Sequence, residues 1–159
     1  MPQSFITSPL GLIRIKASAD GISEMLFVDE QSGENDSSAI IDKTVSQLTE
    51  YFEGKRQTFD LPLSPIGTSF QQNVWKQLQQ ISYGITCSYL DIAKSLGDPN
   101  AIRAVGAANG KNPIAIVIPC HRVIATNGKL TGYAGGLWRK EWLLNFESSK
   151  EQEELFPAV

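Results

Sequence analysis

The segment 55–67, KRQTFDLPLSPIG, sets the strongest limit on how this chain can fold. Pro62, Pro65 and Gly67 fall within it. Proline fixes φ and removes a backbone donor, so neither a helix nor a central strand runs through such a stretch. The segment reads as a linker between two lobes. A chain of 159 residues fits one domain or two small lobes sharing an interface, and 42% hydrophobic residues suffice for a core.

The two sides of the linker are patterned differently. Before it, residues 10–16 (LGLIRIK) alternate roughly between polar and apolar, and residues 22–28 (ISEMLFV) form a second apolar run. Both predict strands. Asp20-Gly21 stands between them as a hairpin signal. Residues 29–38 are a polar loop. Ile41, Val45, Leu48 and Phe52 then recur at helical spacing, and Gly54 stops that helix. The expectation is a small N-terminal α/β lobe over residues 1–65.

Beyond the linker the pattern turns helical. Thr68 or Ser69 caps a helix carrying Phe70, Val74, Trp75, Leu78 and Ile81. A short helix, LDIAKSL, spans residues 90–96 and closes at Gly97. Asp98 is expected to cap the next helix, with Pro99 at its first position and an end near Ala108. Two short helices joined by a tight glycine turn match the helix-turn-helix pattern. Asn127-Gly128 predicts a hairpin, and a last helix runs from about Leu137 to Phe146. The fold class expected is α/β (α+β). A mostly helical lobe with this helix-turn-helix is expected over residues 66–150, and residues 151–159 form an acidic tail expected to fray.

The second helix of the pair is unusually small-sided: Ala101, Ala104, Gly106, Ala107 and Ala108, with Arg103 as its one long basic side chain. Either it packs tightly in the core, or its backbone approaches a narrow groove. A net charge of −3 argues against a generally polyanion-binding surface but leaves room for a local basic stripe. Two cysteines, Cys87 and Cys120, and one histidine, His121, are too few for a disulfide framework or a four-ligand zinc site. No apolar run is long enough to cross a membrane. The N-terminus lacks the basic and apolar regions of a signal peptide, so a cytoplasmic protein is expected.

The reactive candidate is the run Ile114 to Val123, IAIVIPCHRV. A cysteine attacks as thiolate and needs a basic or cationic neighbour to become one. Neighbours on a strand point to opposite faces. Pro119 breaks regular pairing, so a turned backbone could bring Cys120 and His121 to one site. Alone, a Cys-His pair is a weak signal, and a buried, inert cysteine is the commoner outcome.

Further motifs change that weighing. Ile118-Pro119-Cys120-His121-Arg122-Val123 stands with Arg103-Ala104-Val105-Gly106, Asn112-Pro113, Tyr133-Ala134-Gly135-Gly136-Leu137 and Lys140-Glu141-Trp142-Leu143-Leu144. With these the chain resembles the O6-alkylguanine-DNA alkyltransferases (methylated-DNA–protein-cysteine methyltransferases), from about Thr68 to Glu147.

The resemblance implies DNA repair by irreversible, single-turnover transfer of an alkyl (methyl) group from O6-alkylguanine, or O4-alkylthymine, to Cys120. His121 would be the general base, acting through a water, and Glu147 the carboxylate that orients it. Asn112 would tie the active-site turn. Tyr89 and Arg103 would extrude the nucleotide through the minor groove, with Arg103 filling the gap. Tyr133, Ala134, Gly135 and Gly136 would line the guanine pocket. The Ala134 N–H would face O6, and the carbonyls of Cys120 and Val123 would accept from the exocyclic amine. Many relatives carry serine at Ala134, so a side-chain donor to O6 is in doubt. Arg122 is left between a structural and a phosphate-contacting role.

The partner implied is double-stranded DNA carrying O6-alkylguanine, with no cofactor, metal or membrane, and the protein is expected to be a monomer. Two other readings rank lower. A lesion sensor without chemistry would lack the acceptor cysteine. A Cys-His hydrolase or redox protein would need an oxyanion hole or a CxxC pair, and the sequence shows neither.

Overall fold

The computed structural model describes residues 1–148, so the acidic tail expected over 151–159 lies outside the described residues. The chain divides into two compact units, Met1–Ile66 with Pro113–Ala115, and Gly67–Asn112 with Ile116 onward. The fold is mixed α/β, with five α-helices and two small sheets among the described residues.

The first unit opens with three strands, β1 (Gln3–Ser8), β2 (Gly11–Ser18) and β3 (Gly21–Val28), in an antiparallel meander. The sequence pattern does not mark β1, because QSFITS has no run of polar and apolar alternation. Ile13, Ile15 and Ala17 of β2 point inward and are buried, the period-2 pattern of a one-sided sheet. Helix α1 (Ala39–Phe52) covers this sheet with buried Ile41, Leu48 and Tyr51. Ser38 caps it by accepting from the Ile41 N–H at 3.1 Å.

The segment read as a linker is tied down. The Ile22 N–H donates to the Pro62 carbonyl at 2.9 Å, and the Ser64 N–H returns to the Ile22 carbonyl at 2.7 Å. The Gln47 carboxamide adds two bonds to the Asp60 backbone. Gly21 must be glycine here: its φ is +150°, and a Cβ would stand 2.6 Å from the Pro62 carbonyl oxygen. Farther along β3, Met25 bonds Pro113 and Ala115 at 2.8 and 2.9 Å. Two short segments thus pair with an edge that would otherwise expose unpaired backbone groups.

The second unit begins with α2 (Ser69–Leu78), capped by a reciprocal box between Thr68 and Gln71. Its Trp75 is buried and donates through Nε1 to the Ala108 carbonyl at 2.9 Å. A two-residue strand, β4 (Cys87–Ser88), leads into α3 (Tyr89–Ser95), where Ser88 and Asp91 form a second capping box. Helix α4 (Ile102–Gly110) packs against α2 and α3.

Two expectations need correcting. Asp98 does not cap α4, and Pro99 is not its first residue. The Asp98 side chain accepts from the Asn100 N–H and its carbonyl from the Ala101 N–H, both at 3.0 Å, closing a turn ahead of the helix. The helix starts at Ile102 without a side-chain cap and ends at Gly110. Asn127-Gly128 does form a turn, with the Gly128 N–H bonded to the Ala125 carbonyl at 2.8 Å. The flanks meet in one further bond, from the Ala125 N–H to the Lys129 carbonyl at 3.2 Å, and no strand pair extends it among the described residues. The short β5 (Val123–Ile124) pairs in parallel with β4 instead, and no strand follows it among the described residues. Helix α5 (Leu137–Glu147) closes the unit.

Candidate functional site

The turn that presents Cys120 is built by its neighbours. Pro119, at φ −81° and ψ 64°, is the centre of an inverse γ-turn closed by the Cys120 N–H on the Ile118 carbonyl at 2.8 Å. A single 3-10 turn, Cys120–Arg122, follows. Four residues before the cysteine, Ile116 is held at φ 72°, a conformation costly for a β-branched side chain. Asn112 anchors the turn by donating through Nδ2 to the Ile118 carbonyl at 2.8 Å. Asn109, on α4, points its amide at the Cys120 carbonyl from 3.4 Å.

Behind the turn lies a buried charged cluster. His121 is wholly buried, with Nε2 at 2.9 Å from Glu147 Oε2. Arg122 grips the same carboxylate with a fork, Nε to Oε1 at 2.7 Å and Nη2 to Oε2 at 3.0 Å. Its Nη1 donates to the Ile81 carbonyl at 2.7 Å. Arg122 is only 6% exposed, so its role is inside the protein and not at a phosphate.

The ionisation states follow from these contacts. Burial resists ionisation of Glu147, but His121 and the Arg122 fork overcome it and hold the carboxyl at about 2. Burial lowers His121 despite the adjacent carboxylate, so the ring is neutral near pH 7. An ionised carboxylate only accepts, so His121 Nε2 must carry the proton it donates. Nδ1 is therefore the basic nitrogen. It is buried and finds no hydrogen-bond partner among the described residues. Burial also pushes the Cys120 thiol up, against pulls from the Asn112 side chain and the Lys140 cation. The resting site is a neutral thiol, a neutral imidazole and a fixed carboxylate.

Lys140 carries no sequence signal of its own beyond the motif it opens. It is fully buried on α5, donates to the Thr131 carbonyl at 2.8 Å, and stands over the Tyr89 ring at 5.8 Å. Burial lowers its own pKa, partly countered by Cys120. Its burial is not marked in the linear pattern, because a lysine on a helix ordinarily points to solvent.

An open cleft of about 460 Å³ is lined by Tyr89, Ile102, Gly106, Tyr133 and Ala134 among others. The Thr131 hydroxyl donates to the Tyr89 hydroxyl at 3.2 Å. Gly136, at φ 96°, supports the loop before α5, and its N–H bonds the Tyr133 carbonyl at 2.8 Å. Arg139 ties the Gly135 carbonyl at 2.7 Å. Val123 is buried on β5.

Helix α4 answers the question its small residues posed. Val105, Ala108 and Asn109 face inward, whereas Arg103, Ala104, Ala107 and Gly110 are exposed. Ala108 packs, but most of the small side chains form a smooth outward face with Arg103 at its start. The structure thus joins His121 and Glu147 to Arg122, sets the Cys120 thiol among Asn112, Lys140 and Tyr133, and lines the cleft with Tyr89, Tyr133, Ala134 and α4.

A cysteine followed in one 3-10 turn by a histidine whose tautomer a carboxylate fixes suits a protein that uses cysteine as a nucleophile. Residues 69–149 match the profile of the 6-O-methylguanine DNA methyltransferase DNA-binding domain, and residues 1–65 that of the ribonuclease-like domain of the same proteins. The chain is 45% identical over 155 residues to the methylated-DNA–protein-cysteine methyltransferase of Methanosarcina barkeri, covering 94% of this chain and 98% of that one. It is 43% identical to the constitutive enzyme of that name from Bacillus subtilis, over 92% and 95% of the two chains. The crystal structure of Mycobacterium tuberculosis OGT in complex with DNA superposes with a TM-score of 0.86 at 42% identity, covering 98% of this chain and 99% of that one. The chain belongs to the O6-methylguanine DNA methyltransferase family.

Proposed function

We propose that this protein repairs DNA by taking the alkyl group of O6-alkylguanine onto Cys120, once and irreversibly, after flipping the damaged nucleotide through the minor groove. The observation that carries the reading is the buried relay. Glu147 is ionised, His121 is neutral with its proton on Nε2, and Nδ1 is left as a base.

In the transfer, the Cys120 Sγ–C bond forms as the C–O6 bond of guanine breaks. The thiol proton passes to His121, through a water, and from there to the departing guanine. Burial keeps the thiol protonated at rest, so the nucleophile is made at the moment of reaction and not stored. Lys140 and Glu147 favour the charges that appear on sulfur and imidazole, in a site where such fields are little screened. The product is a thioether, which nothing in the site reverses.

The cleft suits the extruded base. Tyr89 stands there to crowd the backbone and to donate to N3, and the Ala134 N–H to donate to O6. With alanine at that place, the O6 contact rests on the backbone alone. Tyr133, Gly135 and Gly136 complete the pocket wall. The carbonyls of Cys120 and Val123 accept from the exocyclic amine. O4-alkylthymine lacks that amine, so it is expected to react more slowly. On the outward face of α4, Ala104, Ala107 and Gly110 let the backbone approach a minor groove, and Arg103 fills the vacated stack. Minor-groove patterns are degenerate, so little sequence preference is expected. The two-lobed organisation, with an N-terminal α/β lobe and a helix-turn-helix lobe of winged-helix type, belongs to the same reading. So does action as a cytoplasmic monomer.

Intact-mass analysis with peptide mapping, after mixing with a duplex bearing one O6-methylguanine, tests the proposal. One methyl on the peptide holding Cys120, absent in Cys120→Ala, is expected. Tight binding without transfer would instead make the protein a lesion sensor.

A further inference from the structure

Arg122 is a cation sealed inside the protein, yet the transfer above uses no guanidinium. Packing alone does not call for one. Replacing a buried ion pair by apolar groups of similar volume is often neutral or stabilising. The geometry is also more than packing: the fork holds both Glu147 oxygens, and Nη1 is pinned to the Ile81 carbonyl beyond the end of α2.

The carboxylate serves two donors at once. Its Oε2 takes both Arg122 Nη2 and His121 Nε2, while Oε1 is held by Arg122 Nε. A buried carboxylate whose only partner is an imidazole stabilises imidazolium strongly, and the pair then rests charged. Such an imidazolium has no lone pair left for a thiol proton. A carboxylate already matched by a guanidinium has less charge to offer.

We infer that Arg122 is a positioning residue that fixes the Glu147 carboxylate against His121 and keeps the imidazole uncharged, hence basic, until the thiol gives up its proton. Its importance for alkyl transfer rests on the function proposed above; its effect on His121 does not. The groups acting on His121 are burial, which lowers it, Glu147, which raises it, and the cations of Arg122 and Lys140, which lower it. Arg122 is the cation that shares hydrogen-bonded contact with the same carboxylate. The turn places it next to the base, and α5 supplies the carboxylate from 25 residues away.

His121 is the only histidine in the chain, so its ring signals in an NMR pH titration need no assignment by mutation. In the full-length protein the midpoint is expected below the ordinary histidine value near 6.5. In Arg122→Met it should rise by about one unit or more, the scale set by one nearby charge. The acid limb of the transfer rate should move with it, so that the variant loses roughly two- to eightfold more at pH 6 than at pH 8.5. Arg122→Lys, which keeps the charge but not the fork, should shift the midpoint the same way by less. If Arg122→Met fails to give a dispersed spectrum, the lysine variant decides. An unmoved midpoint in the variants that fold, with a rate lowered equally at every pH, would reduce Arg122 to a structural brace and overturn the inference. The titration needs no DNA and no methyl transfer, so its outcome is independent of whether the alkyltransferase proposal stands.

Discussion

The two units of the molecule bury different kinds of polar group. In the first, the buried polar side chains are Ser4, Thr44 and Gln47, all neutral. In the second they are Asn109, Asn112, His121, Arg122, Lys140 and Glu147, four of them ionisable. Removing charge from water is expensive, and a buried pair of charges seldom repays that cost in stability. A sheet covered by one helix needs no such groups, and the first unit has none among the described residues. The second holds them around one cysteine. Where a small protein concentrates buried charge, chemistry and not stability is the reason.

That contrast can be broken by substitution. The largest expected effect is at Glu147. Glu147→Gln keeps the shape but loses the charge that orients His121, so transfer should slow by about 10²–10⁴-fold. It also leaves Arg122 buried without a counter-charge, a loss of about 3–5 kcal/mol in denaturant unfolding. In the first unit, Leu48→Ala removes a fully buried side chain from α1. It should cost about 2–5 kcal/mol, with the transfer rate unchanged wherever the protein remains folded. A fall in rate matching that of Glu147→Gln would erase the distinction between the units.

A pH titration of stability sharpens the same comparison. His121 is lowered by burial, so the unfolded chain binds its proton more readily than the folded one. Its stabilisation is complete above the ordinary histidine range and falls as pH drops below about 6.5. Glu147, held at about 2, contributes stability present above its ordinary carboxylate range and lost as pH falls toward 2. Denaturant midpoints should therefore decline in two stages on acidification, and Glu147→Gln should remove the later one. The smallest effect expected is at the first unit's helix cap. Ser38→Ala loses the bond to the Ile41 N–H and should cost about 1 kcal/mol, with no change in transfer.

Much of the fold and site is legible in the chain itself, for identifiable reasons. Ile41 and Leu48 on α1, and Val74 and Leu78 on α2, fall at helical spacing because one helix face must be buried, so both helices can be read directly. Pro119 marks the turn at Cys120. Asp98 misleads because the same side-chain oxygen that caps a helix also closes a turn onto Asn100, and local sequence does not choose between them. Asn127-Gly128 misleads because a turn makes a hairpin only where its flanks go on pairing, and here they share a single bond while β5 pairs with β4. Lys140, Asn109 and the Arg122 fork are invisible for a different reason. Each acts through a contact set by tertiary packing, such as Arg122 with the Ile81 carbonyl 41 residues away.

The central claim is that Cys120 is both nucleophile and final acceptor. The most direct measurement is a titration of a fixed amount of protein with duplex bearing one O6-methylguanine, counting methyl groups moved per chain. The account predicts a plateau at one methyl per chain, all of it on Cys120, however much duplex is added. Transfer continuing past that plateau, or a plateau persisting in Cys120→Ala, would contradict it.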